Sequence, residues 1–380
     1  MTRSSTHWPL IALLWATGLL AAAQFAKLTL TIDTLNGLYA GAPVPLAVSA
    51  VSVVGIIGGA VSGFLVGRFG ARRVVLWSVT LSAVLSLIQG LPMGFVAFMV
   101  TRLLEGFGHL MLVVALPTMM VVLAKPTHKP VVMGLWGTFF GVGYAILGLI
   151  VPPVEAWGGV GAVYVGHGLL LAAVLPVLIL ALPRVMATRT PLPKLIPLHR
   201  AIYSTPRYFA PGIGHGIYTS IFIAVVAFLP TALDAMWLVV ALPLTNLSGT
   251  FVSGFVAQRV PASRVSVAGF IIAGVLFALM AVTASPWVAL AALFFTGLTA
   301  GANFAAVPEF NTDPQDQARS NGAMAQVGNM GTFAGTPLFA LVAGSLWGIA
   351  GMAISICVCG AVMGGWAYRA ARRDAVLHAA

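Results

Sequence analysis

Apolar stretches of about twenty residues, separated by short polar turns, follow one another along almost the whole chain. An α-helix rises about 1.5 Å per residue, so a stretch of this length crosses the roughly 30 Å of hydrocarbon in a bilayer. The pattern predicts an all-α, polytopic membrane protein with about twelve transmembrane helices. The predicted spans are residues 8–32, 43–67, 74–91, 94–122, 131–153, 160–182, 208–231, 236–258, 264–283, 287–307, 319–344 and 347–369.

The composition indicates the same class of protein. Hydrophobic residues make up 60% of the chain, charged residues only 7%, and the mean hydropathy is +1.02. A soluble protein of this composition would expose large apolar patches, so lipid is the expected solvent for most of the surface. A net charge of +11 would suggest nucleic acid as a partner of a soluble protein. The positions of the basic residues argue against nucleic acid here.

The basic residues lie almost entirely on one side of the predicted membrane. If the first span runs outward, the loops on the far side contain no Lys or Arg and hold the acidic residues Glu155 and Asp234. Since cytoplasmic loops are enriched in Lys and Arg, we expect both termini in the cytoplasm and the chain in a bacterial inner membrane. The predicted cytoplasmic set is Arg3, Arg68, Arg72, Arg73, Lys125, Lys129, Arg184, Arg189, Lys194, Arg200, Arg207, Arg259, Arg264, Arg319, Arg369, Arg372 and Arg373.

A repeated segment divides the chain into two halves. Residues 62–74 return in similar form at 253–265, and each copy falls where a long apolar stretch ends in arginines. Internal repeats of this kind are typical of secondary transporters. We predict a six-helix bundle over 1–182 and a second over 208–380. Between them, the proline-rich, basic segment 183–207 is predicted to be a cytoplasmic linker close to anionic lipid headgroups.

The junction between the second and third spans carries a motif. It reads Gly-Phe-Leu-Val-Gly-Arg-Phe-Gly-Ala-Arg-Arg over residues 63–73. With six plus six spans and a basic central loop, the chain resembles the major facilitator superfamily over essentially its whole length. The acidic residue that the family usually has before the first arginine is Gly67 here and Gln258 in the repeat. The segment from Pro130 onward is locally similar to the cyanate-type permease branch.

The resemblance implies a transporter whose two halves rock about a site near the membrane midplane. It also implies a gate at the motif and its repeat, where arginines bridge cytoplasmic helix ends and stabilise the outward-open form. The alternative is that these arginines only anchor the topology. The predicted gating residues are Gly63, Arg68, Gly70, Arg72, Arg73, Arg259 and Arg264.

Ionisable residues lie inside predicted spans of the first half, where an unpaired charge costs several kcal/mol, and four of them are candidates for a site. Arg102, Glu105 and His109 follow one another at helical spacing in span four, so Glu105 can reach Arg102 directly. Lys27 lies in span one. If both spans line the central cavity, as the resemblance implies, these charges leave a net positive site, and a proton on Glu105 would free Arg102 to bind an anion. The alternatives are a structural ion pair and a lysine that snorkels to the interface.

The second half offers weaker candidates. His215 and Tyr218 lie in span seven, and Asn303 lies in span ten among small residues. A histidine can exchange a proton near neutral pH, but a single one is more often a packing residue. The glycines around Asn303 favour close helix packing over ligand binding.

The sequence contains no phosphate-binding Gly-Lys-Ser/Thr loop, no metal or redox cysteine pattern and no convergent catalytic set. We therefore predict neither a cofactor nor an enzyme.

The predicted function is proton-coupled uptake of a small anion by a monomer. Exporters of the family that the chain resembles usually carry Gly-Pro-x-x-Gly-Gly in span five, and its absence favours uptake. The alternative is a proton-driven exporter of drugs or metabolites.

Overall fold

The computed structural model describes residues 5–183 and 194–377, and over these ranges it is helical, with no strand. The predicted spans overlap its long helices one for one, with α6 and α7 together supplying the fifth and sixth. This confirms the all-α polytopic class. The helices are α1 (Trp8–Leu30), α2 (Ile32–Leu38), α3 (Pro45–Phe69), α4 (Ala71–Gln89), α5 (Phe95–Val122), α6 (Lys129–Gly137), α7 (Phe139–Ala181), α8 (Leu195–Tyr203), α9 (Pro206–Ala232), α10 (Leu238–Val256), α11 (Ala262–Thr283), α12 (Pro286–Phe310), α13 (Pro314–Ala340) and α14 (Leu346–Leu377).

The longest helix, α7, makes two passes. A straight helix of its 43 residues would be about 65 Å long, twice the thickness of the hydrocarbon core. The chain instead turns at Gly159, whose φ of 71° suits glycine. Beyond the turn, α7 runs antiparallel to α4: Gly161 packs on the carbonyl of Gly90, and Arg72 at the other end of α4 donates to the carbonyl of Leu182.

Helix α13 is the least apolar of the twelve passes. Ten helical segments of the described chain are long and apolar enough to cross a membrane, with Pro126–Ala181 counted as one and α13 left out. The polar side chains of α13 face protein. Asn321 donates to Thr118 Oγ1 of α5 at 3.1 Å, and Gln326 donates to the carbonyl of Ile56 in α3 at 2.5 Å. Packing between helices therefore explains why this pass tolerates polar residues.

Five apolar clusters of described residues hold the helices together, and the three largest show how the two halves are joined. One draws only on helices α9 to α14 and their loops, a second only on the first half, and the largest includes residues of both. The division into bundles 1–182 and 208–380 stays a prediction. Arg3, Arg184 and Arg189 of the predicted cytoplasmic set lie outside the described residues, as does 184–193 of the predicted linker.

One end of the molecule, which we call the linker face, holds α8, the first described residues and the turn Pro126–His128. Thr6 Oγ1 lies 2.9 Å from His128 Nδ1, and Gln258 donates to the carbonyl of Thr127 at 2.9 Å, so the two halves touch here. On α8, Tyr203 donates to Gln326 Oε1 at 2.7 Å. The halves are therefore joined at the linker face by hydrogen bonds as well as by packing.

Glycines allow the halves to approach closely near the linker face. A Cβ added at Gly63 would lie 2.8 Å from Cα of Arg319, and one added at Gly134 would lie 2.9 Å from Cα of Gly254. Contacts this short leave no room for a side chain, so these helices meet backbone to backbone. Gly63, predicted as a gating residue, thus lies directly in the contact between α3 and α13.

The predicted gating arginines are not all equivalent. Gly70 has a φ of 82° between α3 and α4, which explains the glycine. Arg72 donates to the carbonyls of Leu182 and Ile179, so it bridges helix ends within the first half and offsets the negative end of α7. The guanidinium of Arg68 lies 5.6 Å from the ring centroid of Phe69. Arg73, Arg259 and Arg264 are exposed.

Candidate functional site

The first half encloses a cluster of three charged side chains, Lys27 on α1 and Arg102 and Glu105 on α5, each 0% exposed. Lys27 Nζ lies 2.7 Å from Glu105 Oε1, and Arg102 Nη1 donates to Glu105 Oε2 one turn away on the same helix. The three residues that the sequence singled out therefore form one charged cluster. Two cations and one carboxylate give it a formal charge of +1.

Lys27 points into the bundle rather than to the membrane interface. Besides Glu105, its ammonium donates to Ser86 Oγ at 2.8 Å and to Gln89 Oε1 at 3.0 Å, both on α4. It also lies 4.6 Å from the ring centroid of Tyr164 on α7. An ammonium buried among acceptors on neighbouring helices does not snorkel, so the structure contradicts that alternative.

Arg102 is held by backbone carbonyls as well as by Glu105. Its Nη1 donates to the carbonyl of Gln24 at 2.9 Å, and its Nε donates to the carbonyl of Ala47 at 3.2 Å. The remaining nitrogen, Nη2, is buried without a hydrogen-bond partner. A buried guanidinium donor without an acceptor costs free energy, so this atom is the natural point for an acceptor to bind.

A partly exposed group of aromatic residues lies next to the cluster. His109, one turn beyond Glu105, directs Nδ1 to the carbonyl of Ala21 at 3.0 Å and packs edge-on against Phe25, with ring centroids 4.9 Å apart. Phe140 and Tyr144 of α7 continue this group, with ring centroids 4.9 Å apart. His109, Phe25, Phe140 and Tyr144 are each only partly buried, so they form the accessible edge beside the buried charges.

The candidates of the second half belong to separate networks. Tyr218 donates to Asn246 Oδ1 at 2.8 Å. Asn303 Oδ1 accepts from Ser266 at 2.6 Å and from Tyr368 at 2.7 Å, which joins α11, α12 and α14. His215 packs on Phe304 with ring centroids 4.9 Å apart, and its Nδ1 is buried without a hydrogen-bond partner. None of these hydrogen bonds and ring contacts, within the part of the chain that the structure describes, reaches the charged cluster.

Sequence reasoning missed three members of the site. Gln89 donates to Glu105 Oε2 at 2.9 Å, and His167 Nδ1 lies 2.9 Å from Ser86 Oγ and 3.3 Å from Lys27 Nζ. The sequence contains a signal for Ser86 and one for His167. Ser78, Ser82 and Ser86 recur every fourth residue on one face of α4, and His167 interrupts an otherwise apolar span. Among the described residues, no group of three or more His, Cys, Asp or Glu side chains is arranged to hold a metal ion.

Over the described residues, twelve helical passes with paired charges buried among them are typical of a polytopic membrane transporter. Residues 10–235, more than half of the chain, match the family model of the Major Facilitator Superfamily, and the chain belongs to that family. This confirms the resemblance at family level, whereas the local similarity to cyanate-type permeases stays a prediction.

Solved transporters share the fold. The human organic anion transporter MFSD10 (TETRAN) superposes with a TM-score of 0.74 at 14% identity, covering 95% of this chain and 98% of that one. The E. coli fucose:proton symporter FucP gives 0.74 at 16% identity over the same shares of the two chains. The proton:xylose symporter XylE gives 0.68 at 14% identity, over 92% and 93%. At these identities the likeness shows the fold alone.

One curated protein is similar in sequence. The arabinose-proton symporter of Bacillus subtilis (strain 168) is 29% identical over 93 residues, which is 24% of this chain and 20% of that protein's length. The matched stretch is too short to carry a substrate from that protein to this one.

Proposed function

We propose that this transporter takes up a small anion together with a proton, through a bacterial inner membrane, as a single chain. The observation that carries the proposal is the charge of the buried cluster. A monovalent anion that accepted from the unpartnered Nη2 of Arg102 would bring the formal charge of Lys27, Arg102 and Glu105 from +1 to zero. In a medium of low dielectric constant, that neutralisation favours an anion over a neutral sugar or a cation.

The names of the similar structures are compatible with this proposal but do not choose among substrates. One is an organic anion transporter, and two are sugar:proton symporters. Fucose and xylose are named as substrates of FucP and XylE, and not of this chain. The excess of buried positive charge in this chain supports the anion.

The assignment of the two faces supports an outward-facing form. The distribution of basic residues favours a cytoplasmic linker face, and the close glycine contacts between the halves lie near that face. A transporter closed on the cytoplasmic side receives its substrate from outside. The partly exposed His109, Phe25 and Tyr144 would then form the edge past which the anion reaches Arg102.

Binding and coupling would share one charge. Glu105 neutralises Arg102 in the empty site, and an anion that accepts from Nη2 must share the charge of the guanidinium with it. Any step that changes the protonation of the cluster therefore changes its affinity for the anion, and the reverse holds with the same coupling free energy. This reciprocity would link uptake to the proton gradient.

The proposal is tested in two stages. Purified protein is first screened by thermal shift against formate, acetate, lactate, nitrate, cyanate and phosphate, with glucose and tetraphenylphosphonium as neutral and cationic comparisons. An anion at about 100 times its Kd stabilises the folded form by about 2.7 kcal/mol. A stabilising anion is then offered, radiolabelled, to proteoliposomes with an acidic exterior, where we expect accumulation.

The decisive variants are Arg102→Lys and Arg102→Ala. An ammonium lacks the bidentate geometry of a guanidinium, so Arg102→Lys should lose most of the uptake. Arg373→Lys, at an exposed arginine near the end of α14, is the matched control and should transport normally. A folded Arg102→Ala protein that accumulates the anion at the wild-type rate would refute the site. Stabilisation by tetraphenylphosphonium alone, with extrusion of that cation, would favour the exporter.

A further inference from the structure

We infer that the coupling proton is bound and released by Lys27 and passes to His167, while Glu105 stays ionised throughout. The inference rests on the proposed function, because it names the proton-carrying groups of the same site. It replaces the expectation that a proton on Glu105 frees Arg102.

The contacts of Glu105 oppose its protonation. Its carboxylate accepts from Lys27 Nζ, from Arg102 Nη1 and from Gln89 Nε2, and each of these is a donor. A protonated carboxyl group must donate one hydrogen bond, and none of the three atoms can accept it while Lys27 is an ammonium. Protonation would also leave two buried cations without a counter-charge, whereas loss of a proton from Lys27 leaves a neutral pair of Arg102 and Glu105.

The surroundings of Lys27 suit a group that gains and loses a proton. As an ammonium it has three hydrogens, and three acceptors lie within 3.0 Å: Glu105 Oε1, Ser86 Oγ and Gln89 Oε1. As a neutral amine it would keep two of these hydrogen bonds and gain a lone pair. Both forms can therefore be hydrogen-bonded without moving a helix.

His167 is oriented to receive the proton. Its Nε2 lies 2.9 Å from the carbonyl of Leu20, which can only accept, so Nε2 carries the hydrogen of the neutral ring. The lone pair is then on Nδ1, which faces Lys27 Nζ at 3.3 Å and Ser86 Oγ at 2.9 Å. In the transfer the ammonium turns one hydrogen from Ser86 Oγ to Nδ1; that N–H bond of Lys27 breaks and one N–H bond at Nδ1 forms, with no other covalent bond changed.

The remaining groups around Lys27 do not compete for this role. Helix α5 presents Glu105, Arg102 and, one turn on, His109, which is turned to the carbonyl of Ala21. Helix α7 presents Tyr164 beside His167, and α4 presents only the uncharged Ser86 and Gln89. Arginine does not deprotonate in proteins, so Lys27 and His167 are the exchangeable pair.

A buried polar track continues from the pair toward the linker face. Ser82 lies one turn below Ser86 on α4, and Gln24 donates to its Oγ at 2.7 Å. The other amide atom of Gln24, Oε1, is buried without a hydrogen-bond partner, although the residue is 0% exposed. An unpartnered buried acceptor beside two hydroxyls is suited to a water molecule that carries the proton onward.

The test follows the conformation of the protein without any substrate. Spin labels are placed at the exposed Thr127 and Val260, which lie on opposite halves at the linker face, after Cys357→Ala and Cys359→Ala. The label distance is measured from about pH 5 to 9, a range that covers exchange between a lysine and a histidine. We expect wild type to shift from short to long distances over this range.

Variants then identify the titrating group. Lys27→Arg keeps the charge but cannot release a proton, and His167→Gln keeps the donor to Leu20 but cannot accept one, so both should lose the pH dependence. Glu105→Gln should still titrate, with a displaced midpoint. A flat Glu105→Gln profile beside a titrating Lys27→Arg would overturn the inference, as would a wild type that does not respond to pH. His167→Gln serves if Lys27→Arg fails to fold.

The outcomes separate this inference from the proposed function. The pH series contains no anion, so a failure of anion uptake leaves its result unchanged. Conversely, a pH series that identifies Glu105 as the proton carrier would overturn the inference about Lys27 and His167, and the proposal of anion uptake would still stand.

Discussion

A backbone contact between the two halves predicts a substitution that opens the linker face. A Cβ added at Gly59 on α3 would lie 2.8 Å from both the backbone nitrogen and Cα of Gln326 on α13. Real Cβ atoms do not approach other atoms this closely, and the backbone of a helix cannot rotate away as a flexible side chain can. Gly59→Ala must therefore push α3 and α13 apart.

The magnitude follows from the cost of overpacking. Extra methyl groups in well-packed interfaces cost about 1 to 3 kcal/mol, which corresponds to a shift of about 5- to 150-fold in an equilibrium. The methyl group strains only the form in which the linker face is closed. The change in helix propensity is the same in both forms, so it cancels from the equilibrium between them.

The assay is the distance between spin labels at Thr127 and Val260 at fixed pH. Gly59→Ala should raise the population with a long distance by the factor given above. Gly67→Ala is the matched control on the same helix, because its Cβ would lie 3.5 Å from Cβ of Gln315, an ordinary contact. If Gly59→Ala and Gly67→Ala both show the wild-type distribution and wild-type thermal stability, the reasoning about the closed interface is wrong.

Two further predictions concern single hydrogen bonds and charges. Partial burial raises the pKa of Tyr203 to about 12, so its hydroxyl remains a donor to Gln326 at physiological pH. One hydrogen bond contributes about 0.5 to 1.5 kcal/mol, so Tyr203→Phe should raise the population with an open linker face by about 2- to 12-fold. An unchanged distance between the spin labels would contradict this. Where Lys27 is protonated, Glu105→Gln leaves two buried cations, whereas Lys27→Met leaves a neutral pair, so Glu105→Gln should be less stable by about 3 kcal/mol at acidic pH. Thermal melting in detergent measures the difference, and equal melting temperatures would argue against a shared cluster.

The sequence predicted the membrane class, the number of passes and the pairing within α5. Hydropathy and helical length are local properties, and Arg102 and Glu105 are three residues apart, so their contact follows from helix geometry alone. Hydropathy was least informative at α13, where Asn321 and Gln326 are tolerated because α3 and α5 supply their hydrogen-bond partners. That pass was predicted by the same rule of apolar length as the other spans, and packing explains its polarity.

Only the tertiary structure decided which residues share the charged cluster. Lys27 lies 78 residues from Glu105 and 140 residues from His167, and no rule of spacing along a chain reaches so far. The sequence determined that these charges lie in the membrane and must be paired, because hydrocarbon does not solvate them. Which helix supplies each partner depends on how α1, α4, α5 and α7 pack, since hydrogen bonds act over about 3 Å and their geometry is fixed only when the helices meet.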